Sequence, residues 1–349
     1  MLSPKQITFL KEELATAKNP LFLFDDDPDG LCSFLLLYRM HREGHGTVVK
    51  SLPKITSLFL RKVQEYNPDK VFILDMPLVD QEFIDQAKRP VFWLDHHQPL
   101  ERKNVYYFNP RLNDPNIYLP TTRMAYQISQ NPEDLWLAMI GCLGDYHFPD
   151  FRPEFIKKYP HLLSSQADLE QALHHEPVSQ LIQIFSFLLK GKTSEVNKCV
   201  KILTRIKSPD DILFQKTSSG KYIYKRFEKI NQRYQPLLQR AKEQAKKAKG
   251  PLVVFTYTEQ SWSFTSELAN ELIYLYPEKI VLVARKKSGE MKCSLRSKKI
   301  PLPLLLEKAL LGLEGYGGGH EFACGANLKE HDWQQFLTNL KRELKLKMK

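Results

Sequence analysis

The chain has 349 residues, of which 42% are hydrophobic and 11% aromatic, so it has enough apolar surface for two packed domains. This composition excludes wholesale disorder and low-complexity architectures. The net charge is +11, and so basic a surface attracts polyanions, of which nucleic acid is the commonest in a cytosol. A general role of these charges in solubility stays open.

Apolar runs and cysteine usage restrict the location of the protein. No apolar run approaches the roughly 20 residues that a membrane span needs. The five cysteines are scattered and form no C-x-x-C pair, which is typical of reduced thiols rather than of a zinc knuckle or a disulfide scaffold. We therefore expect a cytoplasmic protein with no membrane partner.

Short apolar runs alternate with helical patterns through residues 1–150. Brief, wholly apolar runs predict buried strands of a parallel sheet at Leu21–Phe24, Val71–Leu74 and Val91–Leu94. Helical patterns occur at Leu31–His41, Ile55–Tyr66, Gln81–Lys88 and, as one longer segment, Thr121–Leu143. The alternation predicts an α/β domain with a doubly wound, mainly parallel sheet, whose ligands bind outside the carboxyl ends of the strands.

Residues 151–250 lack strand-like runs and predict a basic helical connector. The stretch Tyr222–Lys249 carries nine lysines and arginines against only Glu228 and Glu243. A solvated connecting helix explains this pattern, and so does a surface that follows a phosphate backbone. Both interpretations remain open at the level of the sequence.

Residues 251–349 predict a second, smaller α/β domain. Strands are predicted at Leu252–Tyr257, Ile280–Ala284 and Met291–Leu295, with a hairpin turn at Lys286–Glu290 between the last two. Helices are predicted at Ser263–Leu275 and Asp332–Leu344, and a glycine-rich loop at Gly315–His320.

Acidic residues and histidines follow each predicted strand of the first domain. They are Asp25, Asp26, Asp27 and Asp29 after the first strand, Asp75 after the second, and Asp95, His96 and His97 after the third. Asp145 follows the last helical segment of this domain. Each acid alone is more often a helix cap, but several converging carboxylates repel one another unless a cation neutralises them. Carboxylates with imidazoles suit Mn²⁺, Mg²⁺ or Zn²⁺, and bridging acids suit two ions.

The order of these residues resembles the motifs of the DHH phosphoesterase superfamily. The four matching motifs are Asp25-x-Asp27-x-Asp29-Gly30, Leu74-Asp75, Asp95-His96-His97 and Gly144-Asp145. The C-terminal part resembles the DHH-associated domain through Lys292-x-Ser294-x-Arg296-Ser297 and Gly317-Gly318-Gly319-His320. The motifs span residues 21 to 326, which is most of the chain.

The resemblance implies a role for each matching residue. Two Mn²⁺ ions, or Mg²⁺, would be held by Asp25, Asp27, Asp29, Asp75, His96 and Asp145, with Asp75 bridging the ions. His97 would contact the scissile phosphate or assist the leaving oxygen, and Asp95 would orient the histidines, so that Asp75, Asp95 and His97 form the catalytic set. Substrate would also be bound by Ser294, Arg296, Gly317, Gly318, Gly319 and His320.

We therefore expect a metal-dependent phosphoesterase, an exonuclease acting on single-stranded DNA, RNA or short oligonucleotides through a water activated by two metal ions. Leu23 stands where nanoRNases and cyclic-dinucleotide enzymes have a ligand histidine, and the Asp-x-Asp-x-Asp-Gly form is closer to the RecJ branch. The alternatives are a phosphatase or phosphodiesterase of phosphoadenosine phosphate or a cyclic dinucleotide, a catalytically silent scaffold, and nucleic-acid binding by the basic segment alone. RNA against DNA, the polarity, the preferred length, protein partners and a homodimer stay open.

Overall fold

A computed structural model gives the structure of residues 1–50 and 54–347. The chain divides into two compact units, of which the first is Met1–Phe227 and the second begins at Glu228. The first unit contains a parallel sheet and most of the helices, and the second contains a mixed sheet. The α/β class and the mainly parallel N-terminal sheet predicted from the sequence are confirmed.

The first unit holds the parallel sheet and the helices around it. Its strands are β1 (Leu21–Asp25), β2 (His45–Val49), β3 (Lys54–Ile55), β4 (Val71–Leu74), β5 (Leu78–Val79), β6 (Val91–Leu94) and β7 (Tyr106–Phe108). Its helices are α1 (Pro4–Thr16), α2 (Pro28–His41), α3 (Leu60–Tyr66), α4 (Gln81–Ala87), α5 (Thr121–Ser129), α6 (Leu135–Gly144), α7 (Arg152–Lys158), α8 (Leu169–His174), α9 (Val178–Leu188), α10 (Thr193–Leu203), α11 (Pro209–Leu213) and α12 (Ser218–Lys247), whose residues from Glu228 onward belong to the second unit.

The main sheet has the strand order β2-β1-β4-β6-β7, and all neighbours are parallel. The chain leaves β1 to one side for β2 and then crosses to the other side for β4. The strand order therefore changes direction between β1 and β4. In doubly wound sheets the crevice outside the carboxyl ends at this point is the usual ligand site.

Burial on both faces explains why these strands read as continuous apolar runs. Leu21–Phe24, β4 and β6 are buried throughout. Trp93 of β6 stacks on Tyr107 of β7 with ring centroids 4.0 Å apart, and its indole N–H donates to the Met76 carbonyl at 2.9 Å. Two-sided burial is typical of parallel sheets that are covered by helices.

Helix α2 lies beneath the carboxyl end of β1. Asp27 caps its N-terminus by accepting a hydrogen bond from the Gly30 amide at 2.9 Å, and Pro28 occupies its first turn. A Cβ at Gly30 would lie 2.7 Å from the backbone nitrogen of Asp25. Only glycine therefore lets the helix begin so close to the end of the strand.

Several predicted elements of the first unit were incomplete. Strands β2 and β7 were not predicted, because β2 begins with the polar pair His45-Gly46 and β7 is only three residues long. The helix predicted from residue 55 begins only at Leu60. The predicted segment Thr121–Leu143 is interrupted at Gln130, which has a φ of 49°, and at Asn131, which is extended because the following Pro132 disfavours helical backbone there.

The second unit contains a mixed sheet of order β11-β12-β10-β9-β8. Its strands are β8 (Leu252–Thr258), β9 (Ile280–Lys287), β10 (Glu290–Ser297), β11 (Gly315–His320) and β12 (Ala323–Lys329), and its helices are α13 (Thr265–Leu275), α14 (Pro303–Leu310) and α15 (Trp333–Lys347). β8 and β9 are parallel and the other neighbours are antiparallel. The predicted hairpin is confirmed, with positive φ at both Ser288 and Gly289, as a two-residue hairpin turn requires.

The glycine-rich segment was predicted as a loop, and this was wrong. Residues Gly315–His320 form the exposed edge strand β11, paired antiparallel with β12. Glycine disfavours strands, but a Cβ at Gly317 would lie 2.8 Å from Leu306 Cδ2 and 2.9 Å from the Gly325 carbonyl oxygen. The close approach of β12 and α14 therefore requires glycine here. The periodicity of the sequence does not indicate that contact.

The helical character predicted between the two sheets is also seen. The regular elements from Arg152 to Lys247 are helices. Among residues 1–50 and 54–347, a helix with the length and apolarity needed to cross a bilayer does not occur.

Candidate metal centre

Three adjacent strands bring acidic residues to one edge of the parallel sheet. β1 ends at Asp25, β4 is followed directly by Asp75, and β6 by Asp95. Because β4 lies between β1 and β6 and all three are parallel, their carboxyl ends are neighbours. The acids that the sequence assigns to strand ends therefore meet at the point where the strand order changes direction.

Asp75 has a left-handed backbone with a φ of 61°. Aspartate and asparagine tolerate this region better than most residues. The Asp75 amide donates to the Leu94 carbonyl at 2.9 Å, which ties it to the end of β6. Its carboxylate is buried, and Oδ1 accepts a hydrogen bond from the Thr121 hydroxyl at 3.2 Å. Asp75 is thus held through its backbone amide by Leu94 and through its carboxylate by Thr121.

The predicted metal ligands form three overlapping clusters. Within each cluster the candidate ligand atoms all lie within 4.8 Å of one another, and the clusters are Asp25–Asp27–Asp75, Asp29–His96–Asp145 and Asp75–His96–His97. His96 Nε2 lies 3.3 Å from Asp75 Oδ1 and 3.5 Å from Asp145 Oδ2. Asp75 and His96 each belong to two clusters, so the structure brings all six predicted ligands into one continuous centre.

Burial and mutual repulsion make these carboxylates hard to ionise. Burial, reinforced by neighbouring carboxylates, raises the pKa of Asp25, Asp75 and Asp145 well above the usual range. Burial and the charge of Asp27 raise the pKa of Asp29 to about 7, although it accepts hydrogen bonds. Burial also raises the pKa of Asp27 despite the Gly30 amide bound to it.

The donor set fits divalent cations. Carboxylate oxygens with imidazole nitrogen are ligands that suit Mn²⁺, Mg²⁺ and Zn²⁺. The largest influences on the pKa of Asp75 are its burial and four surrounding carboxylates, all of which raise it. A bound cation would reverse the sign of this effect, since the ion becomes the largest local charge. Asp75 and His96 are each shared by two of the three clusters.

The N-terminus of α5 holds Asp29, and sequence reasoning missed this contact. The backbone amides of Thr121 and Thr122 donate to the two Asp29 carboxylate oxygens at 2.8 and 2.7 Å, and the Thr122 hydroxyl donates to the Asp29 carbonyl at 2.9 Å. A helix N-terminus stabilises a carboxylate through its free amides and its dipole. One hint was present in the chain, since Thr121-Thr122 follows Pro120 at the start of a helical pattern.

Asp95 contacts His97. Its Oδ1 lies 2.7 Å from His97 Nδ1, and its Oδ2 accepts hydrogen bonds from the His97 amide at 3.1 Å and from Asn109 Nδ2 at 3.2 Å. Burial lowers the pKa of His97, but the hydrogen bond and charge of Asp95 together with the charges of Asp27 and Asp29 raise it, and the net shift is upward. Asp95 therefore favours a protonated His97 imidazole, and Asn109 and Tyr107 in turn hold Asp95.

Tyr118 contacts the centre from the segment before α5 and was not found from the sequence. Its hydroxyl donates to Asp145 Oδ2 at 2.7 Å, and its ring packs edge-on against His96 with centroids 5.4 Å apart. Burial raises the pKa of Asp145, and the Tyr118 hydrogen bond acts in the opposite direction. Tyr118 thus orients one ligand while packing against another.

Replacing Tyr118 with Phe should weaken Mn²⁺ binding about tenfold, the size of effect typical of a residue that orients a metal ligand. The ring and its packing on His96 are kept, so the variant isolates the hydroxyl. Mn²⁺ titration calorimetry on the metal-stripped protein measures the change, with Tyr106→Phe as the matched control because Tyr106 lies on β7 and stacks on Phe92. Equal affinities for both variants and the wild type would contradict this role of Tyr118.

The predicted substrate residues of the second unit come into register across its sheet. Arg296 on β10 pairs with Ala323 on β12, which pairs with His320 on β11. Ser294 lies two positions before Arg296 on β10. It pairs with Gly325 on β12, which pairs with Gly318 on β11. These residues therefore lie side by side on the sheet.

Contacts on this sheet differ between its interior and its edge. Ser294 is buried with its Oγ 3.2 Å from Ser266 Oγ, and Arg296 Nε donates to Asn270 Oδ1 at 2.6 Å, so both side chains also contact α13. Residues Gly317–His320 are exposed, and a Cβ at Gly318 would meet no atom within 4 Å. The backbone of β11 at Gly318 is therefore open to a ligand.

Family models match both halves of the chain. A doubly wound domain with a carboxylate–histidine centre at its switch point, followed by a smaller mixed-sheet domain, defines the class of this protein. The model of the DHH family N-terminal domain matches residues 21–144, and that of the DHHA1 domain matches residues 249–346. The chain belongs to the DHH phosphoesterase superfamily, with a DHHA1 domain in its C-terminal part.

Solved structures share this fold. RecJ from Thermus thermophilus in complex with Mn²⁺ has a TM-score of 0.72 at 16% identity, covering 98% of this chain and 55% of RecJ, so this chain spans about half the length of that relative. A structure of exonuclease RecJ bound to manganese has a TM-score of 0.64 at 14% identity, covering 96% and 92%. CDC45 from Entamoeba histolytica has a TM-score of 0.51 at 10% identity, covering 97% and 98%. No curated protein matches the chain in sequence.

Proposed function

We propose that this protein is a metal-dependent exonuclease that hydrolyses phosphodiester bonds from an end of single-stranded DNA, RNA or short oligonucleotides. One observation carries the proposal: six ligand residues from separate parts of the chain converge on the carboxyl edge of the parallel sheet. A catalytically silent scaffold has no need of so many buried, mutually repelling carboxylates. Their pKa values are raised, and this makes the centre a functional candidate rather than a structural one.

Two groups of residues would hold two divalent ions, Mn²⁺ or Mg²⁺. The first group is Asp25, Asp27 and Asp75, and the second is Asp29, Asp75, His96 and Asp145. Leu23 is buried in β1, and Asp25 at the end of the same strand belongs to the first cluster. Divalent ions in such a site supply Lewis-acid activation of water and neutralise charge on the phosphate.

The chain's own groups would then position the phosphate and protonate the leaving oxygen. His97, whose pKa is raised by the hydrogen bond and charge of Asp95, belongs to the cluster Asp75–His96–His97. It would donate to the scissile phosphate or to the leaving oxygen. Asp75 and Asp95 complete the catalytic set, the first as the shared ligand and the second as the residue that orients His97.

Residues of the second unit would bind the terminal nucleotide. Arg296 and His320 supply donors for a phosphate, and Ser294 adds a hydroxyl. Gly317, Gly318 and Gly319 lie on the exposed edge strand, and the space around Gly318 would let a phosphate approach the backbone closely. The exonuclease assignment is supported by the RecJ fold and by the net charge of +11.

A product ladder tests this function. With Mn²⁺, 5′- and 3′-labelled DNA and RNA strands should be shortened from one end to mononucleotides or short products, and EDTA should stop the reaction. Phosphoadenosine phosphate and a cyclic dinucleotide serve as competing substrates in parallel reactions. Hydrolysis of these small molecules without shortening of any strand would assign the protein to the small-substrate phosphodiesterases instead. Absence of hydrolysis in every reaction would contradict catalysis altogether.

A further inference from the structure

Helix α12 carries a row of exposed basic residues within the second unit. The row consists of Lys229, Arg233, Arg240 and Lys247, and we call it the basic stripe. In an ideal helix, spacings of four, seven and seven residues place these side chains within about 40° of one another around the axis, and Pro236 lies between Arg233 and Arg240. At 1.5 Å per residue the stripe is about 27 Å long.

Another face of this part of α12, about 100° around the helix axis from the stripe, is fixed by packing. Its buried residues include Ile230, Tyr234 and Ala241. The Tyr234 ring lies 5.5 Å from that of Phe264. These contacts set the rotation of the helix, so the basic stripe faces solvent.

The basic residues of the stripe differ from other lysines and arginines of the fold in their ion pairing. In the part of the chain that the structure describes, none of the four residues forms an ion pair, whereas Lys242 on another face of the helix pairs with Glu271 at 2.9 Å. Lys229 and Arg233 are a like-charge pair at i, i+4, which destabilises a helix. Glu243, the acid beside the stripe, accepts a hydrogen bond from Gln239 at 3.0 Å.

We propose that the basic stripe binds the phosphate backbone of a single-stranded nucleic acid beyond its terminal nucleotide. A row of cations that has no ion-pair partner among the described residues complements a regularly charged polyanion. A stacked strand with one phosphate per 3.4 Å covers 27 Å in about eight nucleotides. That this strand is a substrate rests on the proposed function. The inference makes the stripe the feature by which the protein distinguishes polymers from mono- and dinucleotides.

The affinity for a 20-nucleotide oligo(dT) or oligo(rU), measured by fluorescence anisotropy in EDTA over a range of salt, tests the stripe without hydrolysis. The variant carries K229Q, R233Q, R240Q and K247Q. The plot of log K against log salt has a negative slope, and each lost phosphate contact should make it shallower by about 0.7. Four lost contacts should therefore reduce the steepness by about 3 and weaken binding on the order of a hundredfold at 0.1 M salt. The control carries K5Q, K18Q, K88Q and K157Q, which remove the same charge from scattered exposed sites.

The outcomes separate the stripe from the proposed function. Equal losses in the stripe and control variants, or no binding of either strand by the wild type, overturn the proposal. Polyglutamate that binds as tightly as oligo(dT) and loses as much in the stripe variant overturns the choice of nucleic acid. If the ladder experiment finds no strand hydrolysis but the anisotropy result holds, the proposed function fails and the stripe stands. If strands are hydrolysed, kcat/KM of the stripe variant should fall for the 20-mer and not for a dinucleotide, and an equal fall for both contradicts the proposal.

Discussion

Replacing Asp75 with Asn should reduce metal-dependent hydrolysis about a thousandfold or more while the protein stays folded. Asp75 belongs to the cluster Asp25–Asp27–Asp75, and its Oδ1 lies 3.3 Å from His96 Nε2 in the second group, so its loss should affect both proposed ion sites. Several kcal/mol of transition-state stabilisation depend on such ions, and each 1.36 kcal/mol corresponds to a factor of about ten in rate. Asparagine is the appropriate substitute, because it tolerates the φ of 61° and can still accept the hydrogen bond from Thr121. Alanine would add backbone strain to the loss of the ligand.

The change in thermal stability distinguishes a lost ligand from a damaged fold. Without metal, Asp75→Asn should melt at a higher temperature than the wild type, because one carboxylate is removed from a buried and mutually repelling group. With Mn²⁺ the order should reverse. Initial rates on a labelled strand and melting curves with and without Mn²⁺ measure both effects, with Asp85→Asn on the exposed side of α4 as the control. Full activity of the Asp75 variant in Mn²⁺ would refute the assigned centre.

In the metal-free protein, the free energy of unfolding should fall as the pH rises from about 4 to about 7. Asp29 has a pKa of about 7 in the folded state against an ordinary value of 3.8. Between these values the folded state keeps a proton that the unfolded state has released, so raising the pH favours unfolding. The upward shifts of Asp25, Asp75 and Asp145 act in the same direction. Carboxylates with lowered pKa, such as Asp150 beside Arg123, act instead below about pH 4.

Mn²⁺ should remove this loss of stability. The ion competes with protons for the same carboxylates, so it binds more tightly as the pH rises. At a hundred times its dissociation constant a ligand stabilises the folded state by about 2.7 kcal/mol, which corresponds to roughly 5–10 °C in melting temperature for a unit of this size. Melting curves at pH 5, 6, 7 and 8 in EDTA and in Mn²⁺ should therefore diverge with rising pH. In the control Asp75→Asn, the difference in melting temperature between Mn²⁺ and EDTA should be smaller. An Mn²⁺ effect of equal size at every pH would contradict the prediction.

The sequence predicted the strands and acids of the site because both depend on local pattern. β4 and β6 have the predicted bounds, since parallel strands buried on both faces are continuous apolar runs. The position of Asp75 follows from β4 alone, and its neighbours Asp25 and Asp95 follow from strand adjacency. Motif order then identified the superfamily that the family models confirm.

Two of the contacts that the sequence did not predict are non-local. Tyr118 is 27 residues from Asp145 and has no pattern that marks it as a partner. The amides of Thr121 and Thr122 are backbone groups, so no residue type at these positions announces their bond to Asp29. β11 was missed because glycine signals a turn, whereas here pairing with β12 decides the conformation. The contacts of Tyr118 and Asp29 are thus made by residues distant along the chain, whereas β11 pairs with the next strand, β12.

The burial of α2 has a consequence for how this protein would lose activity. Residues Pro28 to Leu37 of this helix are buried without interruption, and Asp29 and the capping Asp27 belong to the same helix. A helix that is buried all round has no face on which to shift. Heat inactivation and unfolding of the hydrophobic core should accordingly occur in one transition. At no temperature should a folded but inactive form of the protein accumulate.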